Sequence, residues 1–196
     1  IRRGNVWLSH LYGSWANEGR LCQEALEPGM KVIKNKDGVR NSHTSHAEVM
    51  FSLDGKPQEN AGCVIGAALC YSGNYKLRID THDDEYHRFF AGINEENSAY
   101  SLKKDEIFRT PELAYSNEGL SGSSRNFHRW ARLHKLAHGT VPRKILLNSW
   151  EGVYFDVNQA GMDQMMSDIA SMGGELFVMD DGWFGDKYPR KNDSSS

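Results

Sequence analysis

Gly173-Gly174-Glu175-Leu176-Phe177-Val178-Met179-Asp180-Asp181-Gly182-Trp183-Phe184-Gly185 decides the fold of the C-terminal part of the chain. The paired glycines stop whatever precedes them. Leu176 to Met179 is a short apolar run of strand type, with two carboxylates at its exit. Upstream, Met162, Met165, Met166 and Ile169 recur at three- and four-residue steps. That spacing predicts a helix from about Gln159 to Met172, capped by Asp156-Val157-Asn158. The methionines read as core filling. Lys144 to Asn148 is a second short apolar strand. Strand, helix and strand at this spacing predict a parallel, right-handed βαβ unit, the opening of a barrel or of a doubly wound sheet.

In both architectures ligands bind at the carboxyl ends of the strands. Asn148-Ser149-Trp150-Glu151 follows the first strand and Asp180-Asp181-Gly182-Trp183 the second, so both polar-aromatic clusters are expected on one face. Paired carboxylates accept hydrogen bonds from vicinal hydroxyls, and aromatic faces cover the apolar side of a pyranose, so the cluster has the ingredients of a sugar site. Capping loops are the plainer alternative, above all for Glu151. A magnesium site is a third reading of paired aspartates, but no further ligand cluster accompanies them. As an acid and nucleophile pair the aspartates fit poorly. A glycosidase needs two carboxyls about 5–5.5 Å apart (retaining) or about 6.5–9.5 Å apart (inverting), flanking the scissile bond. Neighbouring residues at a strand exit that both turn inward lie on the same side of the sugar.

The first part of the chain has another rhythm. From Asn5 to about Tyr115 short apolar runs alternate with turn residues, which predicts an antiparallel sandwich. Strands are expected at Ala47 to Leu53, Val64 to Tyr71, Tyr86 to Gly92 and Ser98 to Leu102. Val64 to Tyr71, Ser72-Gly73-Asn74 and the alternating run from Tyr75 to Asp80 together predict a hairpin. From Arg125 to His138, Phe127, Trp130, Ala131, His134 and Ala137 follow helical steps, with Gly139 as a stop. Arg125, Arg129, Arg132 and Lys135 fall largely on another side of that helix, which reads as solvated. Residues 1–118, 119–141 and 142–196 are thus expected to form a β domain, a linking helix and the start of an α/β domain. A (β/α)8 barrel needs about 250 residues, so at most its first two strands fit here.

Composition bounds the partners. The chain of 196 residues is 39% hydrophobic and 25% charged, with a net charge of -3. No general attraction to nucleic acid or to an anionic membrane surface is expected, and no apolar stretch is long enough to span a bilayer. Ile1-Arg2-Arg3-Gly4-Asn5 reads as an internal start, which leaves the compartment open. Cys22, Cys63 and Cys70 are an odd number and include no CxxC, so free, largely buried thiols are expected and a zinc site is not. His43-Thr44-Ser45-His46 has no third ligand at a recognisable spacing and reads as a loop of hydrogen-bond donors. No nucleophile elbow, Walker loop or dinucleotide fingerprint is present.

Taken together the segments resemble the α-galactosidases of glycoside hydrolase family 36. Leu11-Tyr12-Gly13-Ser14-Trp15-Ala16, Cys70-Tyr71-Ser72-Gly73-Asn74-Tyr75, Phe90-Ala91-Gly92-Ile93-Asn94 and Phe108-Arg109-Thr110-Pro111-Glu112 are similar to segments of its N-terminal domain. Tyr115-Ser116 and Phe127-His128-Arg129 fit its linking helix. Asn148-Ser149-Trp150-Glu151, Tyr154-Phe155-Asp156 and Asp180 to Gly185 fit its first two barrel strands. The resemblance implies part of an antiparallel β-supersandwich, a linking helix and the first βαβ of a (β/α)8 barrel. It implies that Asp180 and Asp181 bind hydroxyls of a terminal galactose, with Trp183 and then Trp150 shaping the pocket. It also implies an α-galactoside oligosaccharide substrate and a homo-oligomeric parent; no cofactor and no metal site are expected. The family's nucleophile and acid/base aspartates lie on later strands, so no catalytic residue is expected in this chain, which ends at Asn192-Asp193-Ser194-Ser195-Ser196. An α-N-acetylgalactosaminidase or a galactosyltransferase of the same family is an alternative, as is a non-catalytic sugar-binding module.

Overall fold

The computed structural model describes residues 1, 4–41, 43–82 and 86–184, so Ser42, Gly185 and Asn192 to Ser196 lie outside the described residues. The chain forms two compact units, residues 1–137 and 138–196.

In the first unit eight strands form two antiparallel sheets. Strands β1 (Trp7–Tyr12), β2 (Arg20–Ala25), β4 (Ser45–Ser52), β5 (Val64–Cys70) and β8 (Glu112–Ser116) make a five-stranded sheet ordered β2-β1-β4-β5-β8. Strands β3 (Gly29–Lys34), β6 (Tyr75–Thr81) and β7 (His87–Ile93) make the second, ordered β3-β6-β7. Side chains alternate along each strand, and one face of each sheet is apolar. Leu8, Val49, Phe51, Ala67 and Leu69 from the larger sheet meet Ile33, Tyr75, Leu77 and Ile79 from the smaller in one buried cluster. Phe51 meets Phe89 edge to face, with ring centroids 5.3 Å apart. Tyr75 is fully buried, and its hydroxyl lies 2.6 Å from Ser45 Oγ, which joins the two sheets through a polar contact inside the core.

Helix α1 (Gly119–His134) covers the other face of the larger sheet. It starts earlier than its periodicity predicts, because Ser123 and Asn126 anchor its first turns. Ser123 Oγ donates to the Ser116 carbonyl and Asn126 Nδ2 to Ser116 Oγ, at 3.2 and 3.1 Å. The helix comes close to the sheet at Gly66, where a Cβ would stand 2.9 Å from the Phe127 ring. β5 is therefore buried on both faces, as its unbroken apolar run predicts.

Three expectations fail here. The hairpin does not form: β5 pairs with β4 and β8, while β6 pairs with β3 and β7. Residues 71–74 instead carry the chain from one sheet to the other, held by a buried asparagine network. Asn35 Nδ2 donates to the Gly38 carbonyl at 3.0 Å, the Gly38 amide to Asn74 Oδ1 at 2.7 Å, and Asn94 Nδ2 to the Asn35 carbonyl at 3.1 Å. Ser98 to Leu102 is not a strand; Tyr100 packs on Phe108, with ring centroids 4.6 Å apart, in an irregular segment. The cysteines are free, but Cys63 precedes β5 and is exposed, while Cys22 and Cys70 are half-buried.

In the second unit β9 (Leu146–Asn148) and β10 (Leu176–Val178) pair in parallel, with Leu146, Leu147 and Asn148 opposite Leu176, Phe177 and Val178. Between them lie the single turn α2 (Trp150–Val153) and helix α3 (Gln159–Ser171). Asn158 caps α3, its side chain accepting from the Gly161 amide at 2.9 Å. Met162 is buried and Met165 and Ile169 are half-buried, but Met166 is exposed, so the predicted stripe is only partly covered. Gly173 takes a positive φ of 87° where α3 ends.

Two consequences are measurable. Gly66→Ala should destabilise the first unit by about 1–3 kcal/mol, because the added methyl overlaps the Phe127 ring; adding Phe127→Leu should recover part of the loss in denaturant titrations. Burial raises the Tyr75 phenol to about 12, against the partly offsetting hydrogen bond to Ser45. A phenol whose pKa is raised by folding stabilises the fold fully below its unfolded pKa of about 10 and loses that contribution as pH rises toward 12. Spectrophotometric titration should show one late tyrosine that Tyr75→Phe removes.

Candidate functional site

All four residues singled out from the sequence lie in the second unit, Trp150 opening α2 directly after β9, and Asp180, Asp181 and Trp183 in the loop after β10. The parallel pairing puts Asn148 opposite Val178, so both strands end at the same level and their loops meet. Ser149, fully buried, fastens them. Its amide donates to the Val178 carbonyl at 3.0 Å, and its Oγ accepts the Asp180 amide at 3.0 Å. Asn148 adds a side-chain bridge: Nδ2 donates to Asp180 Oδ2 at 2.7 Å, while Oδ1 accepts the Trp150 amide at 2.8 Å.

Asp180 also accepts the Asp181 amide on Oδ1 at 2.8 Å. The Asn148 amide group first, and the Asp181 backbone amide second, hold its carboxyl below the ordinary carboxylate range. Each carboxylate oxygen has two lone-pair directions, so each oxygen of Asp180 keeps one for a ligand hydroxyl. Asp181 is half-buried beside it.

Gly182 is buried with φ +102°, a conformation that side chains disfavour. A Cβ there would also stand 2.8 Å from Val157 and 3.1 Å from the Phe155 carbonyl oxygen. Glycine is therefore required twice over for the aspartates to sit against residues 155–157. Trp183 is 68% exposed and touches Phe184 edge to face, with centroids 5.8 Å apart. Trp150 is half-buried and packs edge-on against Tyr154 and Phe155, at 5.3 and 4.9 Å. The two tryptophans thus rest on different partners: Trp183 offers a free face, and Trp150 is part of an aromatic cluster. Glu151 is exposed in the first turn of α2.

The arrangement sets a carboxylate held in its ionised form beside a second carboxylate and an exposed indole, groups whose chemistry suits hydrogen bonding to hydroxyls and contact with an apolar ring face. Sequence reasoning passed over Asn148 and Ser149 as the fasteners of that site. Their signal is position, a small polar pair at the exit of one strand facing a carboxylate pair at the exit of the next. The histidine pair behaves differently. His46 belongs to β4, not to a loop, and its Nδ1 lies 3.2 Å from Glu48 Oε1.

The chain is similar to known proteins over nearly its whole length. Residues 1–103 match the glycosyl hydrolase family 36 N-terminal domain, and residues 107–196 match melibiase. The chain belongs to glycosyl hydrolase family 36. It is 36% identical over 192 residues to Alpha-galactosidase C of Emericella nidulans, covering 96% of this chain and 25% of that protein. It is 35% identical over 190 residues to Alpha-galactosidase Mel36A of Lactobacillus acidophilus, covering 95% and 25%. Among solved structures, a family 36 α-galactosidase of Geobacillus stearothermophilus superposes with a TM-score of 0.82 at 31% identity, covering 96% of this chain and 27% of that one. A variant of that enzyme in complex with raffinose gives 0.80 at 31% identity, covering 94% and 26%. The chain spans about a quarter of the length of the curated relatives it matches. The fold is accordingly part of an antiparallel β-supersandwich, a helix, and the first βαβ of a (β/α)8 barrel.

Replacing Asn148 with Ala removes the larger cause of the low Asp180 pKa, so that pKa should rise; Asn148→Asp should raise it further by adding a like charge. Carboxyl carbon shifts followed by NMR from pH 2 upward would check both. No upward movement in either variant would mean that Asn148 does not set the charge of this site.

Proposed function

We propose that the protein carrying this chain is a retaining exo-α-galactosidase acting on terminal α-galactosyl residues of oligosaccharides. Asp180 and Asp181 grip galactose hydroxyls, Trp183 covers the apolar face of the sugar, and Trp150 supports the pocket wall. The nucleophile and acid/base aspartates lie outside these residues, and hydrolysis proceeds through a covalent glycosyl intermediate. In this reading residues 1–118 are a partial sandwich domain, 119–141 the linking helix, and 142–196 the first two barrel strands; the whole protein is a homo-oligomer.

The observation that carries the reading is the fastening of two strand ends through Ser149 and Asn148, which fixes a paired carboxylate at the face where barrels bind ligands. The names of the relatives, and the raffinose complex of one of them, support galactosides as the substrate class.

Asp181→Ala in the full-length protein should lower kcat/KM on an α-galactoside ten- to hundredfold, the effect of losing a charged hydrogen bond of about 1.5–3 kcal/mol. A change of less than twofold would overturn the assignment. Running the N-acetylgalactosaminide in parallel separates the two sugars, and turnover of it in preference to the galactoside would replace the proposed substrate.

A further inference from the structure

We propose that His10, Cys22 and Glu24 form a binding site for a zinc-class divalent cation in the sandwich, between β2 and β3. Strand register assembles the set. His10 stands directly opposite Cys22 in the β1–β2 pair, and Glu24 is two residues along β2, on the same face as Cys22. Each residue offers one ligand atom, and the three atoms lie within 4.8 Å of one another. All three residues are half-buried.

The imidazole here is poorly matched by protein. Neither ring nitrogen of His10 makes a hydrogen bond of good geometry, although both are shielded from water. Nε2 lies 3.4 Å from Glu24 Oε1, close enough to share one ion and too poorly aligned to be a hydrogen bond. Lys31 Nζ, reaching across from the other sheet, lies 2.5 Å from the same oxygen. A cation thus already occupies this corner, as an ammonium tethered to β3.

Imidazole nitrogen, thiolate and carboxylate are a donor set that suits zinc, with water as the fourth ligand. On binding, the Cys22 thiol releases its proton to solvent and the Lys31 ammonium swings away. No catalytic group of the galactoside reading takes part, so the two proposals stand or fall separately. The plainer alternative is a polar plug in which Lys31 and Glu24 form an ion pair and His10 fills space.

The test uses the full-length protein, stripped of metal and titrated with Co2+. One equivalent should bind with a thiolate-to-cobalt charge-transfer band in the near ultraviolet, and Zn2+ should bleach it. Cys22→Ser should lose that band, and His10→Ala and Glu24→Gln should each weaken Zn2+ binding at least tenfold. Lys31→Met keeps every ligand and removes the competing ammonium, so it should tighten Zn2+ binding. Identical Co2+ spectra for the parent protein and Cys22→Ser would overturn the proposal. So would a Lys31→Met variant that is less stable but binds Zn2+ no more tightly, the behaviour of a plug.

Discussion

Strand register is the constraint from which the rest follows. Side chains alternate along a strand, so a slip of one residue would turn every apolar side chain outward. With Leu8 opposite Glu24 and Phe51, and Leu77 opposite Ile33, the two sheets present their apolar faces to each other and bury a common cluster. The same rule brings the ends of β9 and β10 level, so that Asn148 can reach Asp180 across the parallel pair.

Polar groups inside this frame decide where the chain changes direction. Asn35 and Asn94 are almost wholly buried, and their side chains satisfy backbone groups of the segments that leave β3 and enter β6. An unpaired amide at such depth would be costly. The crossing between sheets is therefore pinned by specific hydrogen bonds, and Tyr75 at the start of β6 reaches Ser45 on the opposite sheet.

Much of this was legible in the sequence, and the misses have physical causes. Alternation from Tyr75 to Asp80, the apolar run of β5, the Asn158 cap and the strand ahead of Asp180 were all visible, because each depends on its own residues. The crossing at residues 71–74 looked like a hairpin because a tight turn and a sheet change use the same turn residues. Only the distant Asn35 and Asn94 distinguish them. Ser98 to Leu102 had strand composition, but its Tyr100 found Phe108 instead of a neighbouring strand. At the candidate site the position of the carboxylates and tryptophans after the two strands was readable, whereas the service of Asn148 and Ser149 needs the parallel pairing to be known. The His10, Cys22 and Glu24 cluster was invisible for the same reason: its spacing matches no local pattern until β1 and β2 are laid side by side.

The crossing between sheets bears on how the chain acquires its structure. Since β5 turns away from β6, its free edge is closed only by β8, at Glu112–Ser116, after the entire smaller sheet has been traversed. Pairing across so long an interval costs loop-closure entropy before it returns any contact. During synthesis, then, β5 waits with one edge of its backbone unpaired, an apolar strand open to association with other chains. Helix α1, which follows β8 directly and lays Phe127 over Gly66, completes the enclosure of that strand. The last-made part of the first unit is thus what covers this apolar strand.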